Sequence, residues 1–148
     1  MTNDMNSNYN RQFGSAYVGM GYAIVRTSTA STAIPIEGAT VIIRGSEPEN
    51  QNVMYSLLTD RDGLTPRVSL PAPLKESSQS SGQIKPFAVY SIEVYKEGYY
   101  PQFYQNVPIF DGITAVQPAQ VIPLSDNGHS NPYVIDEQIF GEKENPLL

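Results

Sequence analysis

The chain contains no cysteine and no tryptophan, and it has one histidine among its 148 residues. The lack of cysteine excludes disulfide bonds, thiolate zinc sites and a thiol nucleophile. Basic residues are also few, since nine Lys and Arg stand against fifteen Asp and Glu, for a formal net charge of −6. Nucleic acids and anionic membranes attract clustered Lys and Arg, which are scattered here. The composition predicts no nucleic-acid partner, and no apolar run approaches the roughly 20 residues of a membrane span.

Residues that carry catalytic or metal chemistry are sparse. His129 is in a Gly-His-Ser-Asn stretch, whereas a Ser-His-Asp arrangement needs an imidazole held by a buried carboxylate. Asp60 and Asp62 precede Gly63 as in a calcium loop, but no acidic residue follows until Glu76, so an Asx-capped turn is the favoured interpretation. We therefore predict no catalytic, cofactor-binding or metal-binding residue, no cofactor, and a protein that is not an enzyme.

Three zones follow one another along the chain. Residues 1–16 form a polar, Asn-rich segment without the apolar centre of a secretory signal peptide, which predicts synthesis in the cytoplasm without a signal peptide and a flexible arm. Residues 17–124 hold all the strand-like periodicity and predict a single domain. Residues 125–148 open with Ser-Asp-Asn-Gly and are predicted to form a tail, in which residues 133–140 could form a short helix.

Alternation of apolar and polar residues marks the strands of the middle zone. Residues 87–96 alternate most clearly, with Tyr90, Ile92 and Val94 on the predicted inner side and Val89 and Glu93 on the outer side. Val41 and Ile43 are also predicted to be buried, and the glycines of residues 17–26 leave room for a neighbouring segment or a bulge. Short strands at regular spacing with turn signals between them are typical of an all-β, two-sheet sandwich. We predict seven antiparallel strands, with extended N- and C-terminal arms, at these positions: 17–26, 39–44, 53–59, 64–70, 87–96, 102–109 and 115–124.

Three motifs in this order resemble the carboxypeptidase regulatory-like domain, a transthyretin-type (prealbumin-like) β-sandwich. They are Gly38-Ala39-x-Val41-x-Ile43, Thr59-Asp60-x-x-Gly63-Leu64 and Tyr90-x-Ile92-x-Val94-x-x-x-Gly98-Tyr99. The resemblance covers residues 17–124 and implies a sandwich that serves as an accessory module in most proteins that carry it.

A narrower resemblance links the chain to the non-catalytic sandwich of clostridial spore-cortex-lytic enzymes, which also occurs in small stand-alone proteins. The residues that carry it are Ile34-Pro35-Ile36, Leu58-Thr59-Asp60, Gly63-Leu64-Thr65-Pro66, Leu70-Pro71-Ala72-Pro73 and Val107-Pro108-Ile109-Phe110. This resemblance implies a module of spores or cell walls without an accompanying lytic domain.

The tail and the aromatic residues suggest where partners bind. A free tail gains nothing from large apolar side chains, so we predict that terminal residues contact a neighbouring subunit: Phe13, Tyr133, Val134, Ile135, Ile139 and Phe140. The aromatic residues between Tyr95 and Phe110 are either a stacking platform for sugar or a partner, or cross-strand packing, and we favour packing.

Two functions remain open from the sequence. The first is a structural subunit of a bacterial spore-surface, filament or particle assembly, a homo-oligomer or polymer joined through its terminal arms. The second is a regulatory or cell-wall-binding module that acts beside a peptidoglycan-lytic enzyme and binds cell-wall glycan.

Overall fold

The computed structural model describes residues 17–75, 86–124 and 133–136. These residues form nine strands. In chain order they are β1 (Gly19–Thr29), β2 (Ile34–Pro35), β3 (Thr40–Gly45), β4 (Met54–Leu58), β5 (Val68–Ala72), β6 (Ala88–Tyr95), β7 (Gln102–Ile109), β8 (Thr114–Gln120) and β9 (Tyr133–Asp136).

The strands form two sheets, one of four strands and one of five. The four-stranded sheet is built around β1. Tyr22 on β1 lies between β5 and β8, whereas Ser28 further along lies between β2 and β8, so β8 flanks one side of β1 while β5 and β2 follow each other along the opposite side. The five-stranded sheet has the order β4-β3-β6-β7-β9.

Two of these strand pairs differ from the prediction. The described residues do form an all-β, two-sheet sandwich, but they contain nine strands instead of seven, and β8 pairs with β1 and β9 with β7 in parallel. The remaining pairs are antiparallel. The suggested helix in residues 133–140 is wrong for residues 133–136, because these form a strand on the edge of a sheet.

The core lies between the two sheets and contains the residues that the alternation assigned to it. Val41, Ile43, Tyr90, Ile92 and Val94 are at most 1% exposed, which confirms the predicted inner face. These β-branched and aromatic side chains suit a pleated surface buried on one side. The Tyr90 hydroxyl donates to the carbonyl of Pro71 in the opposite sheet at 2.6 Å, so the most deeply buried phenol has an acceptor.

Two buried threonines fasten the loop after β2 to both sheets. The hydroxyls of Thr27 on β1 and Thr59 after β4 donate to the carbonyl of Ile36 at 2.8 and 2.7 Å. The Thr59 hydroxyl also accepts the Ala39 N–H at 2.9 Å. These bonds satisfy polar groups that burial would otherwise penalise.

A close approach of two chain segments explains one glycine in β1. A Cβ at Gly21 would lie 2.4 Å from the carbonyl oxygen of Phe110 and 2.5 Å from Ile109. The sequence prediction that glycines in the first strand leave room for a neighbour is therefore confirmed at this position.

Candidate interaction surfaces

The edge of β7 carries a segment of the C-terminal tail. Tyr133, Val134 and Ile135 in β9 pair with Gln102, Phe103 and Tyr104. Sequence reasoning expected the tail to find its binding site on a neighbouring subunit, whereas here the tail segment adds to a sheet of its own chain. Contact of these residues with another subunit remains a prediction. Of the other predicted contact residues, Phe13, Ile139 and Phe140 lie outside the described residues.

A polar and aromatic cluster lies on the outer face of the five-stranded sheet. Glu93 on β6 accepts the Tyr95 hydroxyl at 2.7 Å and lies 3.4 Å from Nε of Arg44 on β3. The Tyr95 ring meets the ring of Phe103 on β7 edge-on, with centroids 5.9 Å apart. The hydrogen bond to Glu93, with burial and the Glu93 charge adding to it, raises the pKa of Tyr95 to about 12.

A shallow depression of about 450 Å³ opens beside this cluster. Its lining combines aromatic, charged and small residues: Gly38, Thr40, Tyr95, Lys96, Glu97, Tyr99 and Pro101. Aromatic faces next to hydrogen-bonding groups are a common surface for polar ligands. The depression is therefore a concave surface bordered by two of the aromatic residues discussed above, Tyr95 and Tyr99.

Three of the six aromatic residues between Tyr95 and Phe110 pair with another ring, which agrees in part with the favoured interpretation of cross-strand packing. Besides Tyr95 and Phe103, the rings of Phe87 and Phe110 lie 5.5 Å apart at neighbouring ends of β6 and β7. Tyr104 is 4% exposed and packs in the core. These rings consequently contribute packing within the sandwich, while Tyr95 and Tyr99 also border the depression.

A partly buried polar network forms just before β1. Oε1 of Glu47 accepts the Tyr17 hydroxyl at 2.6 Å and the Val89 N–H at 2.8 Å. The fully buried Asn50 donates to the Val89 carbonyl at 3.0 Å and accepts the Glu47 N–H at 2.8 Å. Burial, followed by the hydrogen bond to Glu47, raises the pKa of Tyr17 well above its ordinary value.

Sequence reasoning missed this network. The pattern Glu47-x-x-Asn50 in a loop between two strands was the available signal, because Asn side chains often bond to nearby backbone in turns. These hydrogen bonds hold the loop of residues 46–52 against the start of β6. The bond from the Tyr17 hydroxyl to Glu47 also holds Tyr17 against this loop.

The side chains of Asp60 and Asp111 accept hydrogen bonds from backbone N–H groups. Oδ1 of Asp60 accepts the N–H groups of Asp62 and Leu64 at 2.9 and 3.0 Å, which confirms the Asx-capped turn, and Gly63 closes it with a φ of +78°. Asp111 accepts the N–H groups of Met20 and Lys75, which lower its pKa. Among the described residues no three His, Cys, Asp or Glu side chains converge as metal ligands would.

His129 lies outside the described residues. In the part of the chain that the structure describes, no helix has the length and apolar character needed to cross a membrane.

No protein-family model and no curated protein matches this chain. Solved structures do resemble it. Catechol 1,2-dioxygenase from Acinetobacter sp. ADP1 matches 83% of this chain with a TM-score of 0.52 and 14% identity, and the enzyme from Acinetobacter radioresistens matches 78% with a TM-score of 0.50 and 10% identity. The TIE protein of Bacillus anthracis matches 72% of the chain at a TM-score of 0.48 and 15% identity. The chain spans 60%, 58% and 17% of these three structures, respectively.

The dioxygenases contradict the prediction that the protein is not an enzyme. That prediction relied on the lack of a catalytic constellation in the sequence and on a sandwich regarded as an accessory module. Structures with this fold include enzymes, so the sandwich is no ground for excluding catalysis. At these identities the likeness shows the fold alone, and the chemistry of the dioxygenases does not extend to this chain.

Proposed function

We propose that this chain is a structural subunit of a bacterial spore-surface, filament or particle assembly, in which the terminal segments contact neighbouring subunits. The observation that carries the proposal is the addition of β9, a segment of the tail, to the open edge of β7. An edge that accepts its own tail can accept the same tail from a second copy, because the same backbone hydrogen bonds form in either case.

The length of chain before β9 permits such an exchange. Residues 125–132 separate β9 from the end of the sandwich zone, and when extended they span roughly 25 Å at about 3.3 Å per residue. This reach allows the tail of one copy to lie on the sheet of an adjacent copy. Exchange of an identical element is a low-cost route from a monomer to an oligomer.

The energetics favour a tail that docks through several apolar residues together. Ordering the backbone costs about 1–2 kcal/mol per residue, so a short strand gains little by itself. Each large apolar side chain that becomes buried contributes about 1.5–3 kcal/mol. Burial of Val134, Ile135, Ile139 and Phe140 in a neighbouring sandwich that is already folded would offset much of this ordering cost, and the backbone hydrogen bonds of β9 would offset a further part.

The setting of the assembly is part of the same proposal. The resemblance to the transthyretin-type sandwich of clostridial spore-cortex-lytic enzymes supports a spore surface. Negative-stain microscopy of the purified protein would distinguish filaments, closed particles and dispersed molecules.

Removal of residues 125–148 tests the role of the tail. We expect the truncated chain to stay folded and soluble but to scatter light as a monomer, whereas the full chain forms a large oligomer. A matched pair of substitutions compares the loss of an apolar side chain in the tail with the same loss on the sandwich surface. Ile135→Asn should abolish assembly, whereas Ile113→Asn, at a residue that is 53% exposed, should not. If the truncated chain forms the same oligomer, the tail is not the contact.

A second candidate function rests on the depression beside Tyr95 and Tyr99. A regulatory or cell-wall-binding module that acts beside a peptidoglycan-lytic enzyme would place a sugar ring against such aromatic faces. Sedimentation with purified peptidoglycan tests it. If the protein binds peptidoglycan as a monomer, Tyr99→Ala should weaken the binding and Val116→Ala on the distant β8 should leave it unchanged. This result would favour a cell-wall-binding module over an assembly subunit.

A further inference from the structure

The strands at the sheet edges differ in how they are protected against pairing with another chain. Proline and charge on an edge strand prevent further strand addition, because proline lacks an N–H and a charge resists desolvation. β5 contains Pro71, β8 contains Pro118, and β9 ends in Asp136. β4 has the sequence Met-Tyr-Ser-Leu-Leu, with neither proline nor charge, and it pairs only with β3 among the described residues.

The backbone of β4 presents three residues outward. The Gly45 N–H donates to the carbonyl of Val53, and the Thr59 N–H donates to that of Ala39, so the odd-numbered residues of this strand exchange hydrogen bonds with β3. The even-numbered residues Met54, Ser56 and Leu58 therefore direct their N–H and C=O groups away from the sheet. This row of donors and acceptors has the spacing that an added strand requires.

The side chains of the same three residues lie on the outer face. Met54 is 56% exposed and Leu58 is 64% exposed, the two highest values among the large apolar residues of the described chain. Ser56 lies between them and is also exposed. Large apolar groups on an unprotected edge strand mark a pairing site.

We propose that β4 pairs with β4 of a second copy, antiparallel and about a two-fold axis through Ser56. In this register Met54 lies opposite Leu58 of the partner subunit, and Tyr55 lies opposite the partner's Leu57. All three outward residues then form backbone bonds, whereas a shift by two residues in either direction leaves one of them unmatched. The two five-stranded sheets join into one sheet of ten strands.

The uncharged β4 permits a second copy to pair, and the two-fold register is self-complementary, so a second copy of the chain supplies the matching strand. Each chain carries a formal net charge of −6, so self-association is opposed wherever acidic residues face each other. β4 contains no charged residue, and pairing through it brings no like charges into opposition within the strand. This interface is separate from the tail and its edge on β7, and so it goes beyond the proposed role of the terminal segments.

The size of the contact predicts a weak interface. Pairing of two five-residue strands buries less than the standard interface of about 1,600 Å². The contact therefore forms at high protein concentration, or when other contacts hold two copies together. Covalent trapping is the suitable test for a contact of this kind.

A single cysteine on the axis provides the test, because the chain has no cysteine of its own. A directly opposed, hydrogen-bonded pair has Cα atoms about 5.5 Å apart, within the roughly 4.4–6.8 Å that a disulfide bridges. Ser56→Cys should consequently form a disulfide dimer under mild oxidation of the folded full chain. Leu58→Cys is the matched control on the same strand, since its two copies would lie roughly 14 Å apart.

A mixture of variants tests the register. Met54→Cys and Leu58→Cys chains, each unable to form a disulfide with itself, should form a heterodimer when combined, which a mass tag on one chain reveals. We expect Ser56→Cys to react at least about tenfold faster than Leu58→Cys, because the pairing raises the effective concentration of the opposed thiols. Equal rates for the two variants, or no reaction of Ser56→Cys, would overturn the proposal.

A charge substitution checks the same interface without a thiol. Ser56→Glu places two carboxylates opposite each other on the axis, and like charges in direct opposition are destabilising. Sedimentation at high concentration should show less dimer for Ser56→Glu. Gln120→Glu on β8 adds the same charge far from the β4 interface and should leave the dimer unchanged. The far-ultraviolet circular dichroism of both variants should match that of the parent chain. If Ser56→Glu dimerises like the parent chain, another surface forms the dimer.

Combining the tail deletion with Ser56→Cys keeps this proposal distinct from the proposed function. Deletion of residues 125–148 should remove tail-dependent assembly and leave the Ser56→Cys disulfide. Loss of the β4 contact should leave the tail contact, so either proposal can fail without the other.

Discussion

The two faces of the five-stranded sheet differ, although they are built from alternate residues of the same strands. On the inner face of β3 and β6, Ile43, Ile92 and Val94 are at most 1% exposed. On the outer face of the same strands, Arg44, Glu93 and Tyr95 interact with each other at the border with solvent. The comparison indicates that packing fixes the identity of the inner residues, while the outer residues are free to serve recognition. Substitutions on the two faces test that division.

The largest effect is expected at the centre of the inner face. Ile92 pairs with Ile43 on β3 and with Tyr104 on β7, so its truncation leaves a cavity that neighbouring strands cannot close. Ile92→Ala should lower the free energy of unfolding by about 2–5 kcal/mol, measured by urea denaturation. Val116→Ala, at a residue 52% exposed on β8, should change it by less than about 0.5 kcal/mol. Similar losses for both variants would mean that the inner face does not dominate stability.

A smaller but clear effect is expected at Asn50, which is buried although it is polar. Its side chain bonds to Glu47 in its own loop and to the Val89 carbonyl on β6. Asn50→Ala leaves those two backbone groups without their partner and should cost about 1–3 kcal/mol. Thermal unfolding monitored by circular dichroism measures the loss, and Asn52→Ala at an exposed residue of the same loop is the control. An unchanged melting temperature would show that the loop contributes nothing to the fold.

The smallest effect on the free energy of unfolding is expected from Tyr95 on the outer face, and it depends on pH. The pKa of Tyr95 is raised to about 12 in the folded chain, whereas an unfolded tyrosine titrates near 10. The folded state therefore keeps the proton that the unfolded state has lost. The stabilisation is fully present below pH 10 and disappears as the pH rises through about 12.

The near-ultraviolet absorbance of tyrosinate measures this pKa. Subtraction of the titration curve of Tyr95→Phe isolates one residue among the ten tyrosines. Glu93→Gln removes the carboxylate that accepts the phenol proton, so the difference curve should move towards pH 10. A curve that stays near its original midpoint would mean that burial, instead of Glu93, raises the pKa of Tyr95.

Alternation along the chain predicted most of the strands and their faces, and one exception shows its limit. Residues 102–109 were predicted as a strand and form β7 with the same bounds. Val89 was predicted on the outer face with Glu93, yet it is only 5% exposed. The loop of residues 46–52 lies against this end of β6, because three of its residues bond to the Val89 backbone. The alternation of apolar and polar residues predicts which side of a strand a residue faces, but it does not predict which other segments of the chain pack nearby.

The candidate surfaces were less accessible to sequence reasoning. The terminal residues were identified as apolar and in need of a binding site, but the edge of β7 was not identified as that site. The significance of β4 was also hidden, because Met-Tyr-Ser-Leu-Leu resembles any short strand until its neighbours are known. Likewise, Glu47 and Asn50 acquire their roles only from β6, about 40 residues further along the chain.

The sequence by itself determined the all-β class, the inner residues of β3 and β6 and the capped turn at Asp60, because each depends on residues close together in the chain. Only the tertiary structure decided that β8 pairs in parallel with β1 and that β9 pairs in parallel with β7. It also decided which strands remain at the edges. Tyr22 and Thr114 are neighbours across β1 and β8, although about 90 residues separate them in the chain. Local periodicity specifies the face of a strand, whereas its neighbour is selected by how the whole set of strands buries its apolar faces together.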